Sequence, residues 1–251
     1  MTLVRTDLDA RGVATVTVNR PAKLNALSAE VMGAFIDAFA GLPADTRAVV
    51  LTGEGKAFIG GADVSELGAL DLSTARAFIT RVHQCCEAIR SFPAPVIARI
   101  NGYCLGAGLE IAAACDLRAA SEDAVLGMPE VLLGIPSVVE AALLPKLLGW
   151  GKAREILLLG KTFSAREAAG WGLVERCVPA LELDGAVEDW IGDVLVCGAN
   201  ALRLQKALIR RWENLPMEQA IAAGVDAFEA AFETDEPRRM IADFLSARRK
   251  G

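Results

Sequence analysis

The sequence has few of the residues on which many hydrolases and phosphotransferases depend. Its 251 residues include one histidine and one tyrosine. No Gly-x-Ser-x-Gly motif accompanies His83, so we interpret it as an ordinary helix residue rather than a member of a Ser-His-Asp triad. A Gly-Lys-Ser/Thr phosphate loop is absent as well. These absences disfavour histidine-based hydrolysis and P-loop nucleotide chemistry.

Paired cysteines are also missing. The six cysteines form no Cys-x-x-Cys motif, and four of them lie in apolar segments. Such positions are typical of small buried hydrophobic residues rather than of disulfides or zinc ligands. We therefore expect no metal site.

Long apolar runs and an excess of basic charge are absent. No apolar run reaches the roughly 18 residues that span a bilayer, and the first residues lack the basic start and apolar core of a secretion signal. The net charge of −6 comes from interspersed charges, whereas a nucleic-acid-binding protein usually presents a basic face. We expect a cytoplasmic protein that binds neither membranes nor nucleic acids.

The hydrophobic pattern alternates between strands and helices. Alternation over residues 3–8 and 13–18 predicts an antiparallel strand pair. Further strands are predicted at 48–53, 95–102, 117–120 and 172–178, and helices at 28–42, 74–91, 138–148, 151–159 and 164–170. Strands that alternate with helices are typical of an α/β fold.

The last part of the chain has a different pattern. No strand signal follows residue 183, and we predict a helical segment over 198–251 after an α/β core of residues 1–197. Its apolar residues recur at helical spacing, at Met217, Ile221, Val225, Phe228 and Phe232, and then at Ile241, Phe244 and Leu245. These stripes must cover either the core or another subunit.

One carboxylate lies in an unusually apolar stretch, "NGYCLGAGLEIAAACD" (101–116). Glu110 follows a loop with three glycines and is surrounded in sequence by Ala, Leu and Ile. In the simplest interpretation it is an acid in a first helical turn, where the helix dipole stabilises it by about 0.3–1 kcal/mol. In the alternative it is catalytic, because burial raises a carboxyl pKa towards the range useful for proton transfer.

Two further segments favour the catalytic alternative. "KAFIGGADVSEL" (56–67) is a second glycine-rich loop after a strand, and "GMPEVLLGIP" (127–136) contains Glu130. The overlapping stretch "TGEGKAF" is not a dinucleotide loop, because Phe58 stands where the third glycine should be. The chain thus combines two carboxylates with two loops whose backbone a ligand can approach closely.

Four motifs together resemble the enoyl-CoA hydratase/isomerase (crotonase) superfamily. They are, in order, "NRPAKLNALS", "AFIGGADVSEL", "NGYCLGAGLEIAAACDLRAAS" and "MPEVLLGIP". The similarity runs from about residue 12 to 178, and the tail "FETDEPRRMIADFLSARR" resembles the C-terminal helices of the family. The resemblance implies a crotonase-like spiral of ββα repeats with a C-terminal helical appendage. It also implies acyl-CoA thioester ligands and a homotrimer or dimer of trimers.

The resemblance also implies roles for individual residues. Ala62 and Ala107 match the oxyanion-hole positions of the family, whose backbone N–H groups hold the thioester oxygen. Glu110 and Glu130 match the two catalytic glutamates of the hydratases. The segments that contact CoA in the family match Ala22, Lys23 and Leu24, and also Ala62, Asp63, Val64 and Ser65.

The chemistry of hydration explains why these residue types are needed. A 2-enoyl thioester adds water at C3 when its carbonyl oxygen can take up negative charge, and one preorganised N–H donor contributes ~2.7–4 kcal/mol to this. The start of a helix at Ala107 supplies such N–H groups. One glutamate can then activate water while the other manages the proton at C2. We predict an enoyl-CoA hydratase that adds water reversibly and syn to a trans-2-enoyl-CoA, without metal or redox cofactor.

Several points stay open. The alternatives are a Δ3–Δ2 enoyl-CoA isomerase of the same fold and a non-catalytic acyl-CoA-binding subunit; the presence of both glutamates favours the hydratase. Lys23 is either a CoA phosphate contact or a turn lysine. "SVVEAALLPKLLGWG" is aliphatic where many hydratases have a glycine-rich turn, so the acyl group is undetermined. Within it, we interpret Glu140 as a polar position of the 138–148 helix rather than a pocket residue.

Overall fold

Residues 2–248 are described in the computed structural model, and they form two β-sheets surrounded by helices. The strands are β1 (Val4–Leu8), β2 (Val13–Val18), β3 (Ala48–Gly53), β4 (Ala57–Ile59), β5 (Val96–Ile100), β6 (Tyr103–Leu105), β7 (Leu117–Ser121), β8 (Val125–Gly127), β9 (Thr162–Ser164) and β10 (Arg176–Val178). The α-helices are α1 (Ala29–Ala40), α2 (Val64–Leu67), α3 (Ala75–Ser91), α4 (Ala107–Ala114), α5 (Leu144–Leu159), α6 (Ala165–Gly170), α7 (Leu183–Val196), α8 (Ala199–Trp212), α9 (Met217–Ala231) and α10 (Glu236–Arg248). Short 3-10 helices cover Pro21–Lys23, Pro129–Leu133, Val139–Leu143 and Ala180–Glu182.

From β3 to β8, consecutive strands alternate between the two sheets. The larger sheet has the order β1-β2-β3-β5-β7-β10, and the smaller one has the order β4-β6-β8-β9. Strands β3, β5 and β7 of the larger sheet are each followed directly by a strand of the smaller sheet, and helices follow β4 and β6. Neighbouring strands are parallel except for β1 with β2 and β8 with β9. The arrangement confirms the predicted α/β spiral of ββα repeats.

The inner strands of the larger sheet are buried on both faces, which explains the nearly continuous apolar residues of β3 and β5. In β3, Val49 and Leu51 pack in the main cluster with residues of α1, α3 and α4. Val50 faces the opposite side and packs with Leu183 and Val187 of α7. The smaller sheet lies at the ends of β3, β5 and β7, where the glycine-rich loops occur.

Some predicted boundaries are wrong. The strands predicted at 95–102 and 172–178 are shorter, as β5 and β10. The helices predicted at 138–148 and 151–159 are instead a 3-10 helix over Val139–Leu143 followed by α5, which is kinked at Gly149 with φ of 75°. The kink has a physical cause, because a positive φ interrupts helical geometry and favours glycine.

The C-terminal helices are attached to the core through α8. Nζ of Lys206 donates to the carbonyl oxygens of Ile89 and Ala94 at 3.1 and 3.0 Å. The apolar stripes of α9 and α10 are exposed in the single chain, with Phe228 at 70% and Phe244 at 60% exposure. They therefore do not cover the chain's own core. The division at 197/198 stays a prediction, and residues 249–251 of the predicted segment, like Met1 of the core, lie outside the described residues.

The lengths and apolar character of the helices decide whether any of them could cross a membrane. Among residues 2–248, the structure contains no helix with the length and apolar character needed to cross a bilayer.

Candidate active site

A cavity of about 120 Å³ lies where the two glycine-rich loops meet. Its lining includes Glu110 and Glu130 together with Ala62 and Ala107. Its apolar wall is formed by Leu67, Phe78, Ile79, Val82, Leu133, Ile135 and Val138. The structure thus brings together the four residues that the sequence analysis assigned to catalysis and the oxyanion hole.

Helix α4 places Glu110 in this cavity because two glycines allow a close approach. Gly106 precedes the helix with φ of 52°, which favours glycine. A Cβ at Gly108 would overlap the carbonyl oxygen of Ile59, so only glycine lets α4 pack directly against β4. Glu110, in the first turn, is 3% exposed. Its burial exceeds what an ordinary surface interaction with the helix dipole would require.

Burial has a direct consequence for the protonation of Glu110. Desolvation raises the pKa of Glu110 to about 8, and the nearby charge of Glu130 acts in the same direction. The N–H groups of Ala141 and Val138 partly oppose this effect, whereas the charge of Glu140 adds to it. Glu110 is therefore protonated at neutral pH in the free protein.

Glu130 reaches the cavity from the 3-10 helix Pro129–Leu133. Oγ of Ser137 donates a hydrogen bond to Oε2 of Glu130 at 2.7 Å. Its Oε1 lies so close to Gly106 that a Cβ there would overlap it. The carboxyl of Glu130 is thus held against the loop that precedes α4.

Two residues of the cavity lining have a backbone N–H without a partner in its own element. Leu27 pairs with Ala62 in an isolated bridge, in which the N–H of Leu27 donates to Gly61 and the N–H of Asp63 donates to Leu27. In a parallel bridge of this kind, the N–H of the central residue, here Ala62, points to the other side. Ala107 is the first residue of α4, where an N–H has no partner within the helix. Both residues line the cavity.

The predicted CoA-contacting segments lie beside the cavity. The N–H of Gly60, in the cavity wall, donates to the carbonyl oxygen of Leu24 at 2.8 Å. Lys23 is exposed in the adjoining 3-10 helix with Ala22, and Val64 is 62% exposed at the cavity mouth. This arrangement leaves the surface next to the loop open to a ligand.

The side chain of Asp63 has a structural role. It is buried and caps α2 by accepting the N–H of Ser65 at 2.9 Å. It also pairs with Nη1 of Arg20 at 2.5 Å, and this hydrogen bond lowers the pKa of Asp63. A CoA contact at this position would have to come from the backbone.

Glu140 lies on the 3-10 helix Val139–Leu143 and is not among the residues that line the cavity, as interpreted, but its side chain is buried. Glu140 is 7% exposed, and its Oε1 lies 2.7 Å from Nδ1 of His83. His83 does lie within α3, but its contact with a buried carboxylate makes it more than an ordinary helix residue. The burial of Glu140 could not be predicted, because a single charge in an aliphatic run gives no sign of which direction its side chain takes.

Four cysteines, at 85, 86, 104 and 115, are buried, Cys177 is partly buried, and Cys197 is exposed. Burial raises the pKa of the Cys104 thiol well above its ordinary value. In the part of the chain that the structure describes, His, Cys, Asp and Glu form no cluster of three or more suited to a metal ion.

Comparison with known proteins identifies the family. The family described as Enoyl-CoA hydratase/isomerase matches residues 9–250. The chain is 33% identical to the short-chain-enoyl-CoA hydratase of Clostridium acetobutylicum, with 94% of this chain and 92% of the relative covered. It is 34% identical to the crotonyl-CoA hydratase of Syntrophomonas wolfei, with 94% and 93% covered. The crystal structure of an enoyl-CoA hydratase from Mycobacterium smegmatis superimposes with a TM-score of 0.95 at 32% identity, covering 98% of this chain and 97% of that one.

The chain belongs to the enoyl-CoA hydratase/isomerase family. Hydratases of this family that match nearly the whole chain confirm the predicted enzyme class, enoyl-CoA hydratase. The fold of the family agrees with the two interleaved sheets described above.

Residues of this family member that sequence reasoning missed act through tertiary contacts. Ser137 lies seven positions after Glu130, and Arg20 is far from Asp63 in sequence. Neither Ser137 nor Arg20 lies in a sequence pattern that indicates its contact. Glu140 was the one with a signal, namely a charge in an aliphatic segment.

Proposed function

We propose that this chain catalyses the reversible addition of water to a short trans-2-enoyl-CoA thioester. One observation carries the proposal: both Glu110 and Glu130 line a cavity that also contains the backbone of Ala62 and Ala107. Two carboxyls and two N–H donors are what addition of water to a conjugated thioester requires. An isomerase, by contrast, has to move only one proton.

The reaction divides into charge stabilisation and proton transfer. The N–H groups of Ala62 and Ala107 hold the thioester oxygen, which takes up negative charge as water oxygen bonds to C3. The ionised carboxylate of the glutamate pair accepts a proton from that water, and the protonated one donates its proton to C2. The pair starts and ends with one proton between its two carboxyls, so the reaction balances without a metal or a redox cofactor.

The environments of Glu110 and Glu130 in the free protein support a pair with one proton donor and one proton acceptor. The raised pKa of Glu110 favours its protonated form at neutral pH, and the Ser137 hydroxyl donates a hydrogen bond to Oε2 of Glu130. Two carboxyls this strongly coupled share their titration. We therefore assign acid–base catalysis to the pair as a unit.

The size of the cavity supports a short acyl group. Its volume is about 120 Å³, and Phe78, Val82, Ile135 and Val138 contribute to its apolar wall. The CoA portion would lie outside, along Ala22–Leu24 and the backbone of Ala62–Ser65, with exposed Lys23 available to its phosphates. We also propose that the protein is located in the cytoplasm.

The exposed stripes of α9 and α10 support assembly with other copies of the chain, as a homotrimer or a dimer of trimers. Ile221, Val225 and Phe228 are each more than 60% exposed in the single chain. Apolar surface of this extent usually marks an interface.

The deciding experiment offers the protein crotonyl-CoA and longer trans-2-enoyl-CoA thioesters. Loss of the conjugated-enoyl absorbance and formation of a 3-hydroxyacyl-CoA are expected, with kcat/KM highest for the short chain. Conversion of a 3-enoyl-CoA to the 2-enoyl-CoA without hydration would instead make the protein an isomerase. Binding without any turnover would make it a non-catalytic subunit.

A further inference from the structure

A third carboxylate lies behind the glutamate pair. Glu140 is on the 3-10 helix Val139–Leu143, which packs against α4, and more than nine tenths of its side chain is buried. Val138, two residues earlier, lines the cavity, whereas the cavity lining found among residues 2–248 does not include Glu140. Glu140 is therefore positioned to act on Glu110 rather than directly on a ligand.

The carboxylate of Glu140 is only half satisfied. Its Oε1 lies 2.7 Å from Nδ1 of His83, whereas its buried Oε2 has no close hydrogen-bond partner within the described residues; the Cys86 thiol, a weak donor, also interacts with the carboxylate. Burying a carboxylate with an unpaired oxygen is costly. Such a cost is expected where the charge itself has a function.

The surroundings of Glu140 contain few charges that could neutralise it. From α3 it is faced by His83 and Cys86, and from α4 by Glu110, with Glu130 beyond. Burial raises the pKa of the Cys86 thiol, and the charges of Glu140 and Glu110 add to this, so the thiol stays neutral. Within the part of the chain described, the ion pair of Glu140 is with His83.

His83 connects this buried carboxylate to solvent. Half of the His83 side chain is exposed, against 8% for Glu140.

We propose that Glu140 is a positioning residue that holds a proton on the Glu110–Glu130 pair at neutral pH, and that His83 holds the Glu140 carboxylate in place. This inference rests on the proposed hydration reaction. A negative charge behind Glu110 disfavours a second negative charge within the pair. The pair then remains the mixed acid and base that water addition needs, up to a higher pH.

The first experiment compares pH profiles of kcat/KM for crotonyl-CoA. Glu140→Gln keeps the volume and an acceptor for His83 but removes the charge, so the alkaline limb should move to lower pH by on the order of one pH unit. His83→Ala should move it in the same direction, because it removes the hydrogen-bond partner that holds the Glu140 carboxylate. The double variant should show no further shift, since both changes act through the same carboxylate. Gln84→Glu, which adds an exposed charge on α3, should leave the limb in place.

A second experiment does not depend on turnover. The carboxyl carbons of Glu110 and Glu130 can be titrated by NMR in the free protein, with assignment from Glu110→Gln and Glu130→Gln. The higher midpoint of the pair should fall in Glu140→Gln and in His83→Ala. Midpoints equal to those of the unmodified protein in a folded variant would overturn the inference, even if activity were reduced.

The two proposals fail in different ways. Absence of hydration by the unmodified protein would contradict the proposed function, while the NMR titration would still decide the role of Glu140. Hydration with an unshifted alkaline limb in Glu140→Gln would contradict the role of Glu140 alone. If Glu140→Gln does not fold, His83→Ala at the exposed end of the pair provides the same test.

Discussion

Oγ of Ser137 donates a hydrogen bond of 2.7 Å to Oε2 of Glu130. This contact fixes one carboxyl of the pair, while burial within α4 fixes the other, Glu110. The two glutamates are thus held by different means: one by a hydroxyl from the following loop, and one by close packing of a glycine-rich helix. The difference makes each separately testable.

Replacement of Ser137 by alanine should weaken catalysis without unfolding the protein. A hydrogen bond to a charged group contributes about 1.5–3 kcal/mol, so kcat for crotonyl-CoA hydration should fall roughly 10- to 100-fold. Ser137→Thr keeps the hydroxyl and should retain most of the activity. Unchanged kcat in Ser137→Ala, measured in steady state, would show that the hydroxyl does not support Glu130.

Proline at position 107 tests the backbone donor directly. Proline is tolerated at the first helical position, where Ala107 lies, but it has no N–H. Loss of one oxyanion donor should lower the hydration rate roughly 10²–10³-fold. Ala107→Gly keeps the N–H and should be nearly silent. A proline variant that is folded by circular dichroism and fully active would remove Ala107 from the mechanism.

The Arg20–Asp63 pair should make stability depend on pH at the acid end. Because the hydrogen bond from Arg20 lowers the pKa of Asp63 below its ordinary 3.8, the ionised form is stabilising above that pH. The contribution is lost as pH falls through the lowered pKa. Asp63→Asn should reduce the free energy of unfolding by about 1.5–3 kcal/mol at neutral pH, and the difference should shrink in acid.

An exposed pair provides the control for this experiment. Asp184 pairs with Arg99 at 2.5 Å, but its side chain is 82% exposed. Asp184→Asn should therefore change stability by only about 0–1 kcal/mol. Equal effects of the two substitutions in urea unfolding would show that burial of Asp63 does not strengthen its pair.

The apolar face of α9 should be required for assembly. Phe228→Glu places a charge on a residue that is 70% exposed in the single chain, and it should dissociate the proposed trimer in light scattering. Gln219→Glu adds the same charge on the opposite side of the helix and should leave assembly intact. A trimeric Phe228→Glu protein would place the interface elsewhere, and a monomeric unmodified protein would contradict assembly altogether.

Much of the fold follows from local sequence, but the smaller sheet does not. Strands such as "AVVLTG" and helices such as "SAEVMGAFIDAF" have enough residues to display their period. Strands β4, β6, β8 and β9 have three residues each, too few for alternation to be recognised. They form because the larger sheet brings their segments side by side.

The candidate site also contains some residues that local sequence could predict and others that it could not. Glu110 could be singled out because a charged residue is unusual in an apolar helix. Glu130 could be singled out because it lies in a second motif of the family. Ser137, Arg20 and the His83–Glu140 contact depend on residues that only the fold brings together. A pattern along the chain contains no distance between α3 and the segment after Pro136, so the contact of Glu140 with His83 could not be predicted.

The most direct test of the two-carboxylate account is hydration of crotonyl-CoA by Glu110→Gln and Glu130→Gln, each compared with the unmodified protein. Glutamine preserves volume, so both variants should fold and bind acyl-CoA, and each should lose hydration by at least ~10²-fold because acid–base catalysis is removed. Near-normal hydration by Glu130→Gln, with activity lost only in Glu110→Gln, would contradict the account and favour a single-carboxylate isomerase.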